Sequence, residues 1–222
     1  MKKSVLLDQA QTPDGKTMTF HERDGVYTIR IDTIELMSTR HHNSEEVIAE
    51  LGCAHIRTKS EAHVLIGGLG FGFTLRKSLA CLSRDAFVTV AEIMPSVVTW
   101  NLVPEYKLAA DALADPRVKL VLEDVAKIIG AQPYAFDSII LDIDNGTSAF
   151  STEANKNLYR EAGLLKAKAA LKPGGCLAVW SSHDDPPFSK LMGRLGFDVK
   201  VARVQAHKNG GNWHSLFIGR IK

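Results

Sequence analysis

Three glycines at alternate positions, Gly68, Gly70 and Gly72, follow directly on the run at residues 64–67. A strand that ends in such a loop and turns into a helix commonly holds a ligand bearing a sugar and a charge. Glycine has no Cβ, so the loop Gly68-Leu69-Gly70 lets a ligand lie against the backbone. The dinucleotide fingerprint is G-x-G-x-x-G, and position 73, where its third glycine would stand, is Phe. A phosphate-binding P-loop needs Lys after the glycines, and Phe73-Thr74 supplies none. Glu92 lies 24 residues beyond Gly68, at the end of the next apolar run, where a carboxylate accepts hydrogen bonds from both ribose hydroxyls. Asp124 ends the third run and is placed to accept from an adenine amino group, with the Val125 N–H directed at the ring. Asp124 is equally suited to capping the short helix that follows. Asp142 and Asp144 close the fourth run, "FDSIILDIDNG", where acids can orient an amine or take its proton. Asp and Asn-Gly are also ordinary turn residues, which leaves Asp142, still inside the apolar run, the stronger candidate of the two. Together these strand ends specify an adenosine-type ligand without a pyrophosphate.

Such residues need a parallel sheet to bring their strand ends together. From residue 62 the chain alternates strand and helix, in near-continuous Val/Ile/Leu runs that indicate strands covered on both faces. Strands are expected at "HVLIGG", "FVTVAEI", "VKLVLED", "FDSIILDID" and "CLAVWSS", the last after a "KPGG" turn. Helices are expected over 96–113, with Pro104 set to break or shift it, and over 153–171. The final runs, "FDVKVARVQAH" and "WHSLFIGRI", are separated only by "KNGGN", too short for a crossover helix, so they must pair antiparallel. The expected fold is therefore α/β: a Rossmann-like, methyltransferase-type sheet, mostly parallel, with a C-terminal antiparallel hairpin.

The first third reads differently. Residues 17–37 alternate apolar and polar side chains, with Asp24-Gly25 as a hairpin turn, which predicts two or three short antiparallel strands. Then "NSEEVIAE" has the spacing of a capping box, Asn43 with Glu46, ahead of an apolar helical stripe. The division expected is a β appendage with its linking helix at 1–55 and a nucleoside-binding domain at 56–222.

Composition sets the outer limits. The 222 residues are 45% hydrophobic and 23% charged, with a net charge of +2, giving no electrostatic case for nucleic acid or an acidic membrane. The start is too short in apolar residues for a signal peptide, and no run approaches a membrane span. Cys53, Cys81 and Cys176 have no paired spacing, which fits a reducing, cytoplasmic setting and no structural zinc. His183-Asp184-Asp185 is expected as a polar loop at a pocket rim, not a metal site. His41 and His42 are expected at the surface, and Trp180 in the core near the cleft.

The stretches "VLIGGLGFGFTLRK", "VAEIMPSVV", "DPRVKLVLEDV", "FDSIILDIDNG" and "LYREAGLLKAKAALKPGGCLAVWS" resemble the spermidine synthase family, especially its short bacterial spermidine synthase-like members. The resemblance runs over residues 37–221. It implies a transferase in which Glu92 holds the sugar, Asp124 the adenine side and Asp142 the reacting amine. The implied reaction passes an aminopropyl group from decarboxylated S-adenosylmethionine, a co-substrate and not a prosthetic group, to a polyamine. The N-terminal strands would then serve contacts between copies in a homodimer.

Two departures stand out. The family carries an acid inside its glycine loop, whereas residues 67–72 here read Gly-Gly-Leu-Gly-Phe-Gly. Its second strand-four acid is displaced by one position at Asp144, which on an extended chain turns the side chain to the opposite face. The missing loop acid favours the alternative of methyl transfer from S-adenosylmethionine, whose carboxylate such an acid would repel. A non-catalytic nucleoside-binding or scaffold protein is the third alternative.

Overall fold

A computed structural model describes residues 3–143, 157–207 and 210–221. Two sheets are present. The large one has seven strands: β5 (His63–Gly67), β6 (Phe87–Glu92), β7 (Val118–Leu122), β8 (Phe136–Leu141), β9 (Leu171–Ser181), β10 (Phe197–His207) and β11 (Gly210–Ile221), in spatial order β10-β11-β9-β8-β5-β6-β7. The pairs β5–β6, β5–β8, β6–β7 and β8–β9 are parallel, while β11 runs antiparallel to both β9 and β10. This is the expected sheet with its antiparallel hairpin.

Strand periodicity explains why both faces are covered. Val64, Ile66, Val88, Val90, Ile140 and Ala178 point into one apolar core, and Leu65, Ala91, Ile139, Leu141, Leu177 and Val179 into a second. Alternate side chains thus feed opposite cores, so neither sheet face can remain wet. Helices α1 (Asn43–Cys53) and α2 (Phe73–Cys81) lie on the first face, with α3 (Pro95–Leu102) and the one-turn α4 (Ala110–Leu113). Helices α5 (Val125–Ala131), α6 (Glu161–Ala170) and α7 (Pro186–Arg194) cover the second. Gly52 lets α1 close on the sheet, since a Cβ there would stand 3.1 Å from Ile140 and 3.3 Å from Ala178. Ser138 completes the junction by donating to the Gly52 carbonyl at 2.9 Å.

The small sheet is wholly antiparallel, β1 (Val5–Gln11), β2 (Thr17–Arg23), β3 (Val26–Ile31) and β4 (Ile34–Ser38), in that order. Asp24 (φ +51°) and Gly25 (φ +78°) both adopt the left-handed conformation that a tight hairpin requires. Its inner face is fastened to α3: Phe20 stacks on Trp100 at 4.9 Å, and Trp100 Nε1 donates to Asp8 at 2.6 Å.

Several element boundaries differ from expectation. Strand β1 was not predicted, because "VLLDQAQ" does not alternate and its Val5 and Leu6 stay exposed; pairing with β2 alone extends it. The helix expected at 96–113 is divided into α3, a 3-10 turn at Pro104–Tyr106 and α4, as Pro104 dictates. Strand β9 begins at Leu171 and carries "KPGG" inside it as an irregularity with Gly174 at φ +73°. The helix expected over 153–171 is seen as α6. Asn43 is not the cap of α1: His42 occupies that position, and the Asn43 amide donates instead to the Gln205 carbonyl at 2.9 Å. The loop expected at His183-Asp184-Asp185 follows β9, and it leads into α7, a helix not expected there, with Asp185 accepting from the Phe188 N–H at 3.0 Å as its cap.

Away from the strand ends that carry the candidate residues, Asp137 ties the opposite end of β8 to its neighbours. It is 3% exposed and receives Lys59 at 2.6 Å, Lys172 at 2.9 Å and the His63 N–H at 2.8 Å. Burial alone would raise its pKa, but the His63 N–H and the two ammonium groups outweigh that and hold it below the ordinary carboxylate value. A lowered pKa means the stabilisation is present above the unfolded-state value and is lost as pH falls through the folded-state one. Asp137→Ala is expected to cost about 2–3 kcal/mol, read as a lowered melting temperature at pH 7 that converges on wild type in strong acid.

Candidate active site

The carboxyl ends of β5, β6, β7 and β8 open onto one cleft, roofed by residues of the small sheet. Gly68, Gly70, Glu92, Asp124, Val125 and Asp142 all line it, with about 790 Å³ of empty space including its mouth. The fold thus brings these six sequence-predicted residues to one place. Leu69 contributes through its backbone N–H, which donates to Glu92 Oε2 at 2.9 Å. Gly72 sits behind the loop as the residue preceding α2. Asp144 lies outside the described residues.

The glycine spacing has a steric reason. Gly68 adopts φ +87°, and a Cβ there would collide with the Asp142 carbonyl oxygen. Gly72 adopts φ +78°, and a Cβ would strike the Ala109 side chain. Asn101 holds the loop from the other side, its amide donating to the Gly70 carbonyl at 2.7 Å while its oxygen accepts from the Ala109 N–H at 3.1 Å. Gly68→Ala is expected to destabilise the fold by about 1–3 kcal/mol and to distort the cleft floor. The check is denaturant unfolding, with the midpoint lowered.

Glu92 is 7% exposed and oriented by two backbone donors: Leu69 N–H to Oε2 and Met94 N–H, at 2.8 Å, to Oε1. A carboxylate oxygen carries two lone pairs, so the same group can accept from a diol. Asp124 performs the helix role weighed for it, Oδ1 accepting from the Ala126 N–H at 2.8 Å as the cap of α5. Val125 heads that helix, where N–H groups lack intrahelical acceptors. The charged groups of the otherwise largely apolar cleft are all acidic: Asp14, Glu92, Glu123, Asp124 and Asp142 line it, and no lysine or arginine does so among the described residues.

A second cavity, about 530 Å³ of empty space, adjoins the first and shares Leu36, Met37, Gly70 and Asp142 with it. Phe71 and Phe73 form part of its wall without filling it, Phe71 packed towards Phe20 and Phe73 stacked on the His42 ring at 4.0 Å. Two carboxylates face each other there, Asp142 from the end of β8 and Glu45 from the first turn of α1. Thr74 joins the two segments: its hydroxyl donates to Asp142 Oδ2 at 2.5 Å and lies 3.4 Å from the Glu45 carbonyl. Ser44 Oγ donates to Glu45 Oε2 at 2.6 Å. Loss of water raises the Glu45 pKa to about 8, and the neighbouring Asp142 charge adds to the rise. Loss of water likewise raises Asp142, to about 6, against the lowering effect of the Thr74 hydroxyl. Sequence reasoning passed over Glu45. Its only local signal is the acid pair Glu45-Glu46 after two histidines, and Glu46 proves to pair with His42 at 2.9 Å.

The remaining residues fall where packing takes them. Trp180, 8% exposed, lines the second cavity, and its ring lies 4.6 Å from that of His214. His41 is exposed on the rim of a third cavity, which also reaches Glu45 and Trp180.

A curated protein, polyamine aminopropyltransferase 2 of Pseudomonas aeruginosa, is 30% identical over 142 residues, covering 60% of this chain. The match spans only 38% of that relative's own length. No family model matches the chain. Among solved structures, spermidine synthase from Thermotoga maritima superposes with a TM-score of 0.75 over 98% of this chain and 73% of its own, at 18% identity. A spermidine synthase in complex with the transition-state analogue AdoDATO gives 0.74 over 98% of this chain and 72% of its own, also at 18% identity. A probable spermidine synthase from Corynebacterium glutamicum gives 0.64 over 99% of this chain and 81% of its own, at 15% identity. The chain therefore resembles a polyamine aminopropyltransferase in sequence over more than half its length, and it has the fold of the spermidine synthases.

Proposed function

We propose that the protein transfers an aminopropyl group from decarboxylated S-adenosylmethionine to a primary amine of a polyamine. The observation that carries this reading is charge. Every Asp, Glu, Lys or Arg lining the cleft and the adjoining cavity is an acid, with no lysine or arginine among their described lining residues. Decarboxylated S-adenosylmethionine is cationic at both its sulfonium and its amine. Ordinary S-adenosylmethionine adds a carboxylate that such a wall repels. The glycine loop lacks an acid, which favours methyl transfer, but the surrounding carboxylates make up its charge from Asp14, Glu123 and Asp142.

In this reading Glu92 holds the ribose diol, and Asp124 with the Val125 N–H reads the adenine edge. Asp142 lies where the two cavities meet, so the sulfonium carbon and the acceptor nitrogen come together beside it. The acceptor arrives as an ammonium and gives up one proton. Its lone pair then attacks the carbon next to sulfur, and the carbon–sulfur bond breaks with its electrons staying on sulfur. The products are a thioether nucleoside and a secondary ammonium that carries the charge the sulfonium has lost. The residues therefore contribute positioning and proton removal.

The exposed Val5, Leu6 and Ile34 of the small sheet support a contact with a second copy there. The three described cysteines are free, which suits a cytoplasmic setting, and no described helix is long and apolar enough to cross a membrane.

The test is a panel of linear polyamines incubated with each donor and analysed by mass spectrometry. Addition of a C3H7N unit to an amine, from the decarboxylated donor alone, is the expected product. Addition of a methyl group from the ordinary donor would overturn the proposal in favour of methyl transfer. Tight nucleoside binding with no product from any amine would instead mark a binding protein.

A further inference from the structure

Resting on that reading, we propose that Glu45 takes the proton from the acceptor's attacking ammonium and releases it to solvent through the third cavity. The two facing carboxylates hold different positions. Asp142 lines the first and second cavities, and so faces the donor. Glu45 lines the second and third, and so faces outward. The third cavity continues from the second through Leu36, Met37, Glu45 and Trp180, and it reaches exposed residues at His41, Asn212 and Trp213. A proton placed on Glu45 is therefore next to an exit, whereas one placed on Asp142 must still cross the slot.

Each accepts one hydroxyl, Asp142 from Thr74 and Glu45 from Ser44, so it is the rest of their surroundings that separates them. Asp142 is fixed, its Oδ2 accepting the Thr74 hydroxyl at 2.5 Å and its backbone N–H donating to the Gly67 carbonyl at 3.0 Å. Burial raises Asp142 less far than burial and the Asp142 charge together raise Glu45, so Asp142 is the weaker base of the two and stays charged beside the sulfonium. Glu45 has the nearby Asp142 charge and little water, both of which strengthen it as a base. The groups facing it are Ser44 and Glu46 on its own helix, Thr74 from α2 and Asp142 from the end of β8. Around the third cavity stand Glu35 from β4, His41, and His214 from β11, which burial shifts towards its neutral form. No lysine or arginine lines either cavity among the described residues, so a proton leaves past neutral or negative groups.

The step balances simply. One N–H bond of the ammonium breaks, one O–H bond forms on Glu45, and the freed lone pair makes the new C–N bond as sulfur departs. Before the next turnover the O–H proton passes to water. Because Glu45 is protonated below about 8, wild-type turnover should climb with pH up to that region.

The experiment compares wild type, Glu45→Gln and Glu45→Asp in aminopropyl transfer across pH 6–10, with thioether-nucleoside binding measured in parallel. Glu45→Gln is expected to lose about 100-fold or more in kcat at pH 7. It should bind the nucleoside as wild type does. Its rate should rise about tenfold per pH unit at alkaline pH, where the amine enters already deprotonated. Glu45→Asp should recover at least part of the loss. An unchanged rate, or a uniform loss with the wild-type pH profile, would assign Glu45 a structural role and leave the proposed reaction standing. Absence of transfer by wild type with every amine would remove the reaction and this role together.

Discussion

Asp142→Asn should lower kcat for aminopropyl transfer by about 10²–10⁴-fold while changing nucleoside affinity by no more than about threefold. The substitution preserves shape: the amide oxygen can still accept from Thr74, and the backbone bond to Gly67 is unaffected. What disappears is the negative charge at the junction of the two cavities. With that charge gone, the acceptor ammonium loses its counter-ion at the junction and the reacting nitrogen is no longer aimed at the carbon next to sulfur. The adenosine portion, held over β6 and β7, has no contact to lose in this proposal. Turnover within tenfold of wild type would show that the slot beside Asp142 is not where the amine reacts.

The second large effect is expected at Glu92. Glu92→Ala should weaken binding of the thioether nucleoside by about 100-fold or more, since hydrogen bonds to a charged group contribute about 1.5–3 kcal/mol each. The carboxylate also organises its own surroundings through Leu69 and Met94, so Glu92→Ala leaves two N–H groups in need of other partners. Glu92→Gln separates the two functions. It keeps one acceptor for the backbone, preserves most of the fold and still loses the charged grip on the diol, so an intermediate loss of about tenfold is expected, read by titration calorimetry. A nucleoside affinity equal to wild type in Glu92→Ala would show that the ribose lies elsewhere.

Sequence reasoning reached the residues whose roles depend on local chain geometry. Gly68, Glu92, Asp124 and Asp142 each stand at the end of an apolar run, and parallel strands bring such ends together by topology alone. The same logic located the antiparallel hairpin from a five-residue link. Glu45 was out of reach for the opposite reason. It belongs to a helix some twenty residues before the first central strand, and it meets Asp142 only because α1 docks through Gly52 over Ile140 and Ala178. No spacing within "HHNSEEVIAE" encodes that approach. The roof of the cleft has the same character: Leu36 and Met37 reach it from β4, and Thr12 to Asp14 from the β1–β2 turn, by the packing of Phe20 on Trp100. Where local signals misled, tertiary demands decided. Asn43 has the residue type of a helix cap, yet the Gln205 carbonyl claims its amide.

Preference for a donor with no negative group is what an acidic cleft most directly requires. Titration calorimetry of the protein with decarboxylated and with ordinary S-adenosylmethionine, in one buffer at moderate salt, tests that directly. At least a tenfold tighter Kd for the decarboxylated form is predicted, about 1.4 kcal/mol. Equal affinities, or preference for the form that carries the carboxylate, would contradict it.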